Sequence, residues 1–313
     1  MLQRRIIAMA VLILGLAEGS AVYGATQLNW AAAGVGGTYY PLSIAIGKVV
    51  EKYVPEVKIT IETTGGGVEN ARLVGAGDND LGMANSNFIY FALKGMDPYK
   101  KAYKLYSAGY LYASSLHIIV LANSSIKSIK DFKGKKIAIG PAGGGTIGIF
   151  RDMLPFYDLK ETDMTLSFIS FSDGARALTD GSVDVNMILA GAPAAVAKEL
   201  SATAKVRFIS IEEDVIRKFR EKYAYYVRTA LPKTMFNTPE DVIAVGAGVE
   251  WIVRDGISED LVYKMVKAVF EHLGEIATSH PQGKEISLKT APVAAIPLHP
   301  GAIKYYKERG VLK

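Results

Sequence analysis

The sequence predicts an α/β protein built as two lobes that face each other across a cleft. Three observations predict it. Strand-like and helix-like segments alternate along most of the chain, one fifteen-residue pattern recurs 104 residues downstream of itself, and glycine clusters follow strands at the mouths of helices. Alternation of this kind gives sheets that are mostly parallel with helices on both faces. Ligands of such open sheets sit beyond the carboxyl ends of the strands. Two lobes meeting at those ends enclose a cleft.

The first 24 residues are read apart from the fold. Arg4 and Arg5 precede an apolar run from Ile6 to Leu16, and small residues follow, with Val22 and Gly24 ahead of a mature start near Ala25. This is the pattern of a cleaved secretory signal peptide, and its apolar core is too short for a membrane span. Setting aside Arg4, Arg5 and Glu18 leaves 34 basic against 30 acidic residues, a net charge of +4. The basic residues are scattered, so no nucleic-acid partner is expected. There are no cysteines, which rules out disulfides, thiol chemistry and Cys-ligated metals. A mature chain of roughly 290 residues can be held by its core alone.

Strands are expected near 28–33, 57–63, 80–84 and 103–112, then near 135–140, 165–170, 183–189 and 205–209. A helix over 39–53 is marked by Leu42, Ile46, Val49, Val50 and Tyr53 at helical spacing. The repeat pairs "ENARLVGAGDNDLGM" (69–83) with "DGARALTDGSVDVNM" (173–187). Ala71, Arg72, Gly77, Asp80 and Met83 match Ala175, Arg176, Gly181, Asp184 and Met187. Each copy reads as a short helix, a glycine stop, an aspartate and a buried strand. The chain is expected to cross between lobes near 118–122 and to return along a strand at 241–254, with an amphipathic helix around 259–277 completing the first lobe. The expected division is 1–24 signal peptide, 25–121 with 250–313 as lobe I, and 122–249 as lobe II.

Three glycine clusters open helices: Gly34/Gly36/Gly37, Gly65/Gly66/Gly67 and Gly143/Gly144/Gly145. Helix mouths carry unpaired amides and partial positive charge, and glycine lets a ligand approach the backbone, which suits a small carboxylate. The alternative for any one cluster is an ordinary strand-to-helix turn. Phosphate is less expected, because no lysine or arginine directly follows the first turn. Gly143, Gly145 and Gly148 fit G-x-G-x-x-G, but the dinucleotide reading also needs an acid after the next strand, and Asp173 reads as a helix cap before "GARAL". No cofactor is expected.

Enzyme signatures are thin. His117, His272, His280 and His299 share no metal-ligand spacing, and no serine sits in a G-x-S-x-G elbow. Asp78, Asp80, Asp180 and Asp184 sit at turns and read as caps. No catalytic residue or metal ligand is nominated. Of Tyr39 and Tyr40, one ring is expected to pack on the sheet and the other to cover a ligand's aliphatic stem. Asn85, Ser86 and Asn87 lie at a strand's carboxyl end, as pocket lining or as helix caps. Ala190, Gly191 and Ala192 hold the corresponding place in the second half. Arg72 and Arg176 read as structural or solvent-facing.

The runs "GVGGTYYPLSIAIGKVV", "TTGGGVENARLVGAGDNDLGMANS", "GPAGGGT", "VDVNMILAGAPAAVAKEL" and "LHPGAIKYYKERG" resemble, as an ordered set over nearly the whole mature chain, the solute receptors of the TAXI group of TRAP transporters. The resemblance implies a two-lobed periplasmic binding fold (type II-like). It further implies capture of glutamate, glutamine or a related carboxylate in the periplasm, and delivery to a TRAP permease driven by an ion gradient. Matched residue by residue, it implicates Gly36, Gly37, Thr38, Tyr39, Tyr40, Gly66, Gly67, Asn85, Ser86 and Asn87. In the second half it implicates Gly143, Gly145, Thr146, Gly191, Ala192 and Pro193. Many members carry a Gly-Thr-Tyr-Pro-Gly-like segment before the return strand, where this chain reads "LPKTMFNTPED" (231–241). Two other readings use the same cleft: a ligand sensor without transport, and a periplasmic enzyme.

Overall fold

Strand β1 (Thr26–Ala31) begins the part of the chain, residues 25–313, that the computed structural model describes. The expected signal peptide lies outside the described residues. Burial along β1 alternates and then becomes continuous at Trp30 and Ala31, as in a strand covered on both faces. Helix α1 (Tyr39–Tyr53) packs back on the sheet through Leu42, Ile46, Val49 and Val50. Next come β2 (Val57–Glu62), α2 (Gly67–Ala76), β3 (Leu81–Asn85), α3 (Ser86–Lys94), β4 (Leu105–Ala113) and β5 (Ser115–Leu121). The second half opens with β6 (Lys136–Ala138), α4 (Thr146–Met153), β7 (Thr165–Ser167), α5 (Phe171–Thr179) and β8 (Val185–Ala190). It continues with α6 (Ala195–Thr203), β9 (Val206–Phe208), α7 (Glu213–Lys222), β10 (Tyr226–Leu231) and α8 (Lys233–Phe236). The long strand β11 (Val242–Arg254) then leads into α9 (Glu259–Glu271), α10 (Leu273–Ser279) and α11 (Pro300–Glu308). Among the described residues no helix is long and apolar enough to cross a membrane.

Two sheets result. One runs β10-β11-β3-β1-β2, with β4 also beside β11; the other runs β7-β6-β8-β5-β9. The sets β2-β1-β3 and β7-β6-β8 are parallel, and the connecting strands β11 and β5 lie antiparallel beside them. This is the two-lobed α/β architecture, each sheet flanked by helices.

The internal repeat has a physical basis. Gly77 and Gly181 both take left-handed backbone, φ 83° and 79°, where a side chain is disfavoured. Asp80 and Asp184 then clip their strands in the same way. Each carboxylate accepts a backbone N–H at 2.8 Å, from Asn29 of β1 and Lys136 of β6 respectively. Asp80 also holds Arg254 of β11 at 2.5 Å. These aspartates are structural.

The chain leaves the first sheet earlier than expected. Strand β5, placed in lobe I by the 118–122 crossing, pairs with β8 and β9. Its Leu116, Ile118 and Val120 fill the core beside α4, and Ile119 fills the core beside α5. The crossing is therefore at Ser114. An apolar run marks a central strand but not which sheet owns it. On the return, Val245 and Ala247 pack in the second lobe, and Val249, Trp251 and Val253 in the first, so one strand spans both. Trp251 stacks on Trp30 with ring centroids 5.4 Å apart. The helix expected around 259–277 is divided at His272. Its Nδ1 turns back to the Ala268 carbonyl at 2.9 Å while its ring stacks on Tyr53. The sequence names no strand between 209 and 241, where β10 lies next to the charged helix α7.

His117 on β5 is fully buried. Its Nδ1 faces the carbonyls of Ser115 and Ile188 at 3.0 and 3.2 Å, so that nitrogen carries the proton. Burial holds its pKa down at about 4, against an ordinary 6.5. Between those values the unfolded chain binds a proton that the folded chain excludes, so stability falls as pH falls. The loss is about 3 kcal/mol from pH 6.5 to 4 and stops there. Urea unfolding at stepped pH should show His117→Asn, which keeps an N–H but does not titrate, free of this part of the slope.

Candidate functional site

Between the lobes lies a cavity of about 450 Å3, within the usual range for small-ligand sites. Its first wall is the turn from Ala33 to Tyr39, which leads from β1 into α1. Thr63 to Gly67, following β2, form the second, and Asn85 at the end of β3 forms the floor. The other lobe contributes Pro141, Gly144 and Gly145 before α4, Ser170 to Asp173 and Arg176 of α5, and Leu189 and Ala190 at the end of β8. Each group follows the carboxyl end of a strand or belongs to the helix after it.

The glycines bring the lobes together. The Gly143 carbonyl accepts the amides of Val68 and Glu69, the first turn of α2, at 3.1 and 3.2 Å. Those are the helix-mouth amides the sequence offers to a carboxylate; here the opposite lobe occupies them. A Cβ on Gly66, where φ is 122°, would come 3.1 Å from the Gly144 Cα, and one on Gly143 would come 3.2 Å from the Gly65 Cα. Thr38 Oγ1 donates to the Gly191 carbonyl at 3.1 Å, a second tie between lobes. Phe171 sits between Gly37 of one lobe and Gly140 of the other.

Of the nominated residues, Gly36, Gly37, Thr38, Tyr39, Gly66, Gly67, Asn85 and Gly145 line the cavity together. The others lie elsewhere. Both tyrosines pack on the core of the first lobe, and Tyr39 is the one that also lines the cavity. Burial pushes the Tyr39 hydroxyl well above its ordinary pKa, so it stays a neutral donor. Ser86 donates to Glu250 at 2.7 Å, and Asn87 is buried in α3 with no partner for its amide among the described residues. Gly143 belongs to the seam. Thr146 Oγ1 receives the Leu189 N–H, and Gly191 sits against Gln282 and Tyr112. Ala192 packs on the second core, next to Pro193 across a cis peptide. The divergent segment 231–241 also turns inward, with Leu231 and Phe236 in the second core; no residue of it lines the cavity.

The sequence reading omitted Thr63, Thr64, Leu189, and Ser170 to Ser172. Thr63 and Thr64 follow the carboxyl end of β2 and Ser170 to Ser172 that of β7, the position that signals them in sequence, whereas Leu189 lies within β8 itself. Asp173 is not the cap of α5. Ser170 is: its Oγ accepts the Asp173 N–H and donates to the Asp173 carboxylate at 2.6 Å. Arg176, read as structural or solvent-facing, is exposed but lines the cavity, where it pairs with Asp173 at 3.0 Å. These two are the charged side chains of the lining. The remainder is glycine, apolar and hydroxyl groups and the Asn85 amide.

The model of the NMT1-like family matches residues 30–310. The chain belongs to the NMT1-like family. Solved structures similar to this member include the alkanesulfonate-binding protein SsuA from Xanthomonas axonopodis pv. citri bound to MOPS, 16% identical over 91% of each chain with a TM-score of 0.52. A putative L-cystine ABC transporter from Listeria monocytogenes is 14% identical, over 86% of this chain and 98% of that one, with a TM-score of 0.51. A structure concerned with glutathione import through GshT and the cystine ABC importer TcyBC of Streptococcus mutans is 13% identical, over 89% and 99%, also at 0.51. At these identities the likeness is one of fold. The NMT1-like chain has the fold of two-lobed binding proteins.

Side chains at the seam should hold the lobes apart. Gly144→Val and Gly66→Val are expected to raise the radius of gyration in small-angle scattering. They should also weaken binding of any ligand of the closed form about tenfold or more, since the closed fraction falls. Scattering curves that superimpose on the wild type would mean that these glycines do not set closure.

Proposed function

We propose that this protein is a periplasmic solute receptor that captures a small organic acid or amino acid in the interlobe cavity and delivers it to a membrane permease. One observation carries the reading: a cavity of ligand size shared by two lobes that touch through main-chain atoms on its rim. A ligand that contacts both walls favours the closed form by its differential affinity for it. The ordered motifs that resemble TAXI receptors support a TRAP permease as the recipient and glutamate or a related carboxylate as the cargo. The leading segment, read as a signal peptide, supports the periplasm. Capture needs no catalysis, and the Ser170 hydroxyl bonded to the Asp173 carboxylate serves as the cap of α5.

Thermal melts of residues 25–313 with amino acids, dicarboxylates, keto acids and phosphate test this. Ligand at 100-fold excess over its Kd should stabilise by about 3 kcal/mol, a shift of several degrees. The shift is expected with glutamate or a related acid and should shrink in Tyr39→Ala. If no compound shifts the melt and mass spectrometry of the denatured protein finds no carried-over small molecule, solute capture is the wrong reading.

A further inference from the structure

The cavity is lined by a hydrogen-bond acceptor, on an otherwise buried side chain, that the described residues leave free. Asn85, the last residue of β3, lines the cavity yet is only 3% exposed. Its neighbours fix the orientation of its amide. Ser114 Oγ gives its single proton to the Ala247 carbonyl at 2.9 Å, so toward Asn85 it can only accept. Asn85 Nδ2 therefore faces Ser114 at 3.0 Å, with the Gly248 carbonyl 3.5 Å away on the same side. Flipping the amide would set Oδ1 against the Gly248 carbonyl and would draw the Ser114 proton away from Ala247. Oδ1 instead lies beside Gly67 and Gly145, which also line the cavity, and among the described residues no group donates to it. Oδ1 thus opens on the cavity, and a bound ligand that displaces water from it leaves it unsatisfied unless the ligand supplies a donor.

We propose that Asn85 selects the ligand by that donor. The ligand is a small carboxylic acid bearing a hydroxyl or ammonium group at carbon 2, in preference to the corresponding 2-oxo acid. This rests on the solute-capture reading above and narrows it. Gly145 stands immediately before α4, an eight-residue helix whose leading amides favour an anion. A carboxylate there brings its 2-substituent to Oδ1. A 2-oxo acid would set one carbonyl oxygen against another and leave both unpaired. The same amide holds Ser114 and Gly248, where the connecting strands leave the first lobe, so the ligand's donor is read at the hinge.

Isothermal titration of residues 25–313 with two matched sets tests the assignment. One set is L-glutamate, L-2-hydroxyglutarate and 2-oxoglutarate. The other is L-leucine, L-2-hydroxy-4-methylpentanoate and 4-methyl-2-oxopentanoate. In at least one set the amino or hydroxy acid should bind about 10- to 100-fold more tightly than the 2-oxo acid. Asn85→Leu should abolish that preference. Asn85→Asp, which keeps an acceptor in place, should retain it and tilt it toward the ammonium compound. A 2-oxo acid that binds as tightly as its partners, or a preference that survives Asn85→Leu, overturns the assignment and leaves solute capture standing. Failure of all six compounds to bind overturns it as well. A small molecule then released from the denatured protein would show that capture holds and the ligand class is wrong; its absence would remove both.

Discussion

One main-chain contact organises the molecule: the Gly143 carbonyl seated on the first amides of α2. A helix N-terminus offers unpaired donors and partial positive charge, and a carbonyl from the other lobe satisfies them as a cap would. Two such bonds contribute about 1 kcal/mol each. Every ion pair among the described residues joins groups within one lobe. The glycine seam thus adds weak main-chain contacts that need bare backbone on both sides, beside the Thr38 hydroxyl bond and the Phe171 ring.

The hinge is built from the opposite material. Ser114 bridges the lobes with its hydroxyl bonded to Ala247 and Asn85, and any side chain at Gly246 would collide with the Ser114 carbonyl. Four residues further along β11, Glu250 is fully buried. Its Oε1 receives Ser86 and the Ala295 amide, and its Oε2 has no partner among the described residues. Burial raises its pKa above the ordinary carboxylate range. Dense side-chain bonding at the pivot and sparse bonding at the rim concentrate motion in the few strand residues between them.

The fold was readable because its signals are local. A glycine needing positive φ and an aspartate one strand-start later recur in both halves, and each device acts within a few residues of itself. The site was less readable for the opposite reason. Gly65 to Gly67 and Gly143 to Gly145 announce that something approaches the backbone, and sequence cannot say whether that is a ligand or the other lobe. Here the other lobe meets Gly143 and Gly66, while Gly66, Gly67 and Gly145 also line the cavity. The role of Arg176 also depends on which way α5 faces. Its counterpart Arg72 shares its place in the repeat and pairs with Asp78 on the surface. Similar sequence in two halves encodes similar structure, while the cleft makes different use of each half.

The stacked indoles of Trp30 and Trp251 are the chain's two tryptophans, and both lie in the core of the first lobe. The second lobe carries tyrosine and phenylalanine in their place. Indole emission is therefore an optical label for one lobe, present without engineering, while peptide circular dichroism sums over both. If the lobes melt together, the two signals trace a single curve; if one yields first, the signals separate, and the order of separation names the weaker lobe.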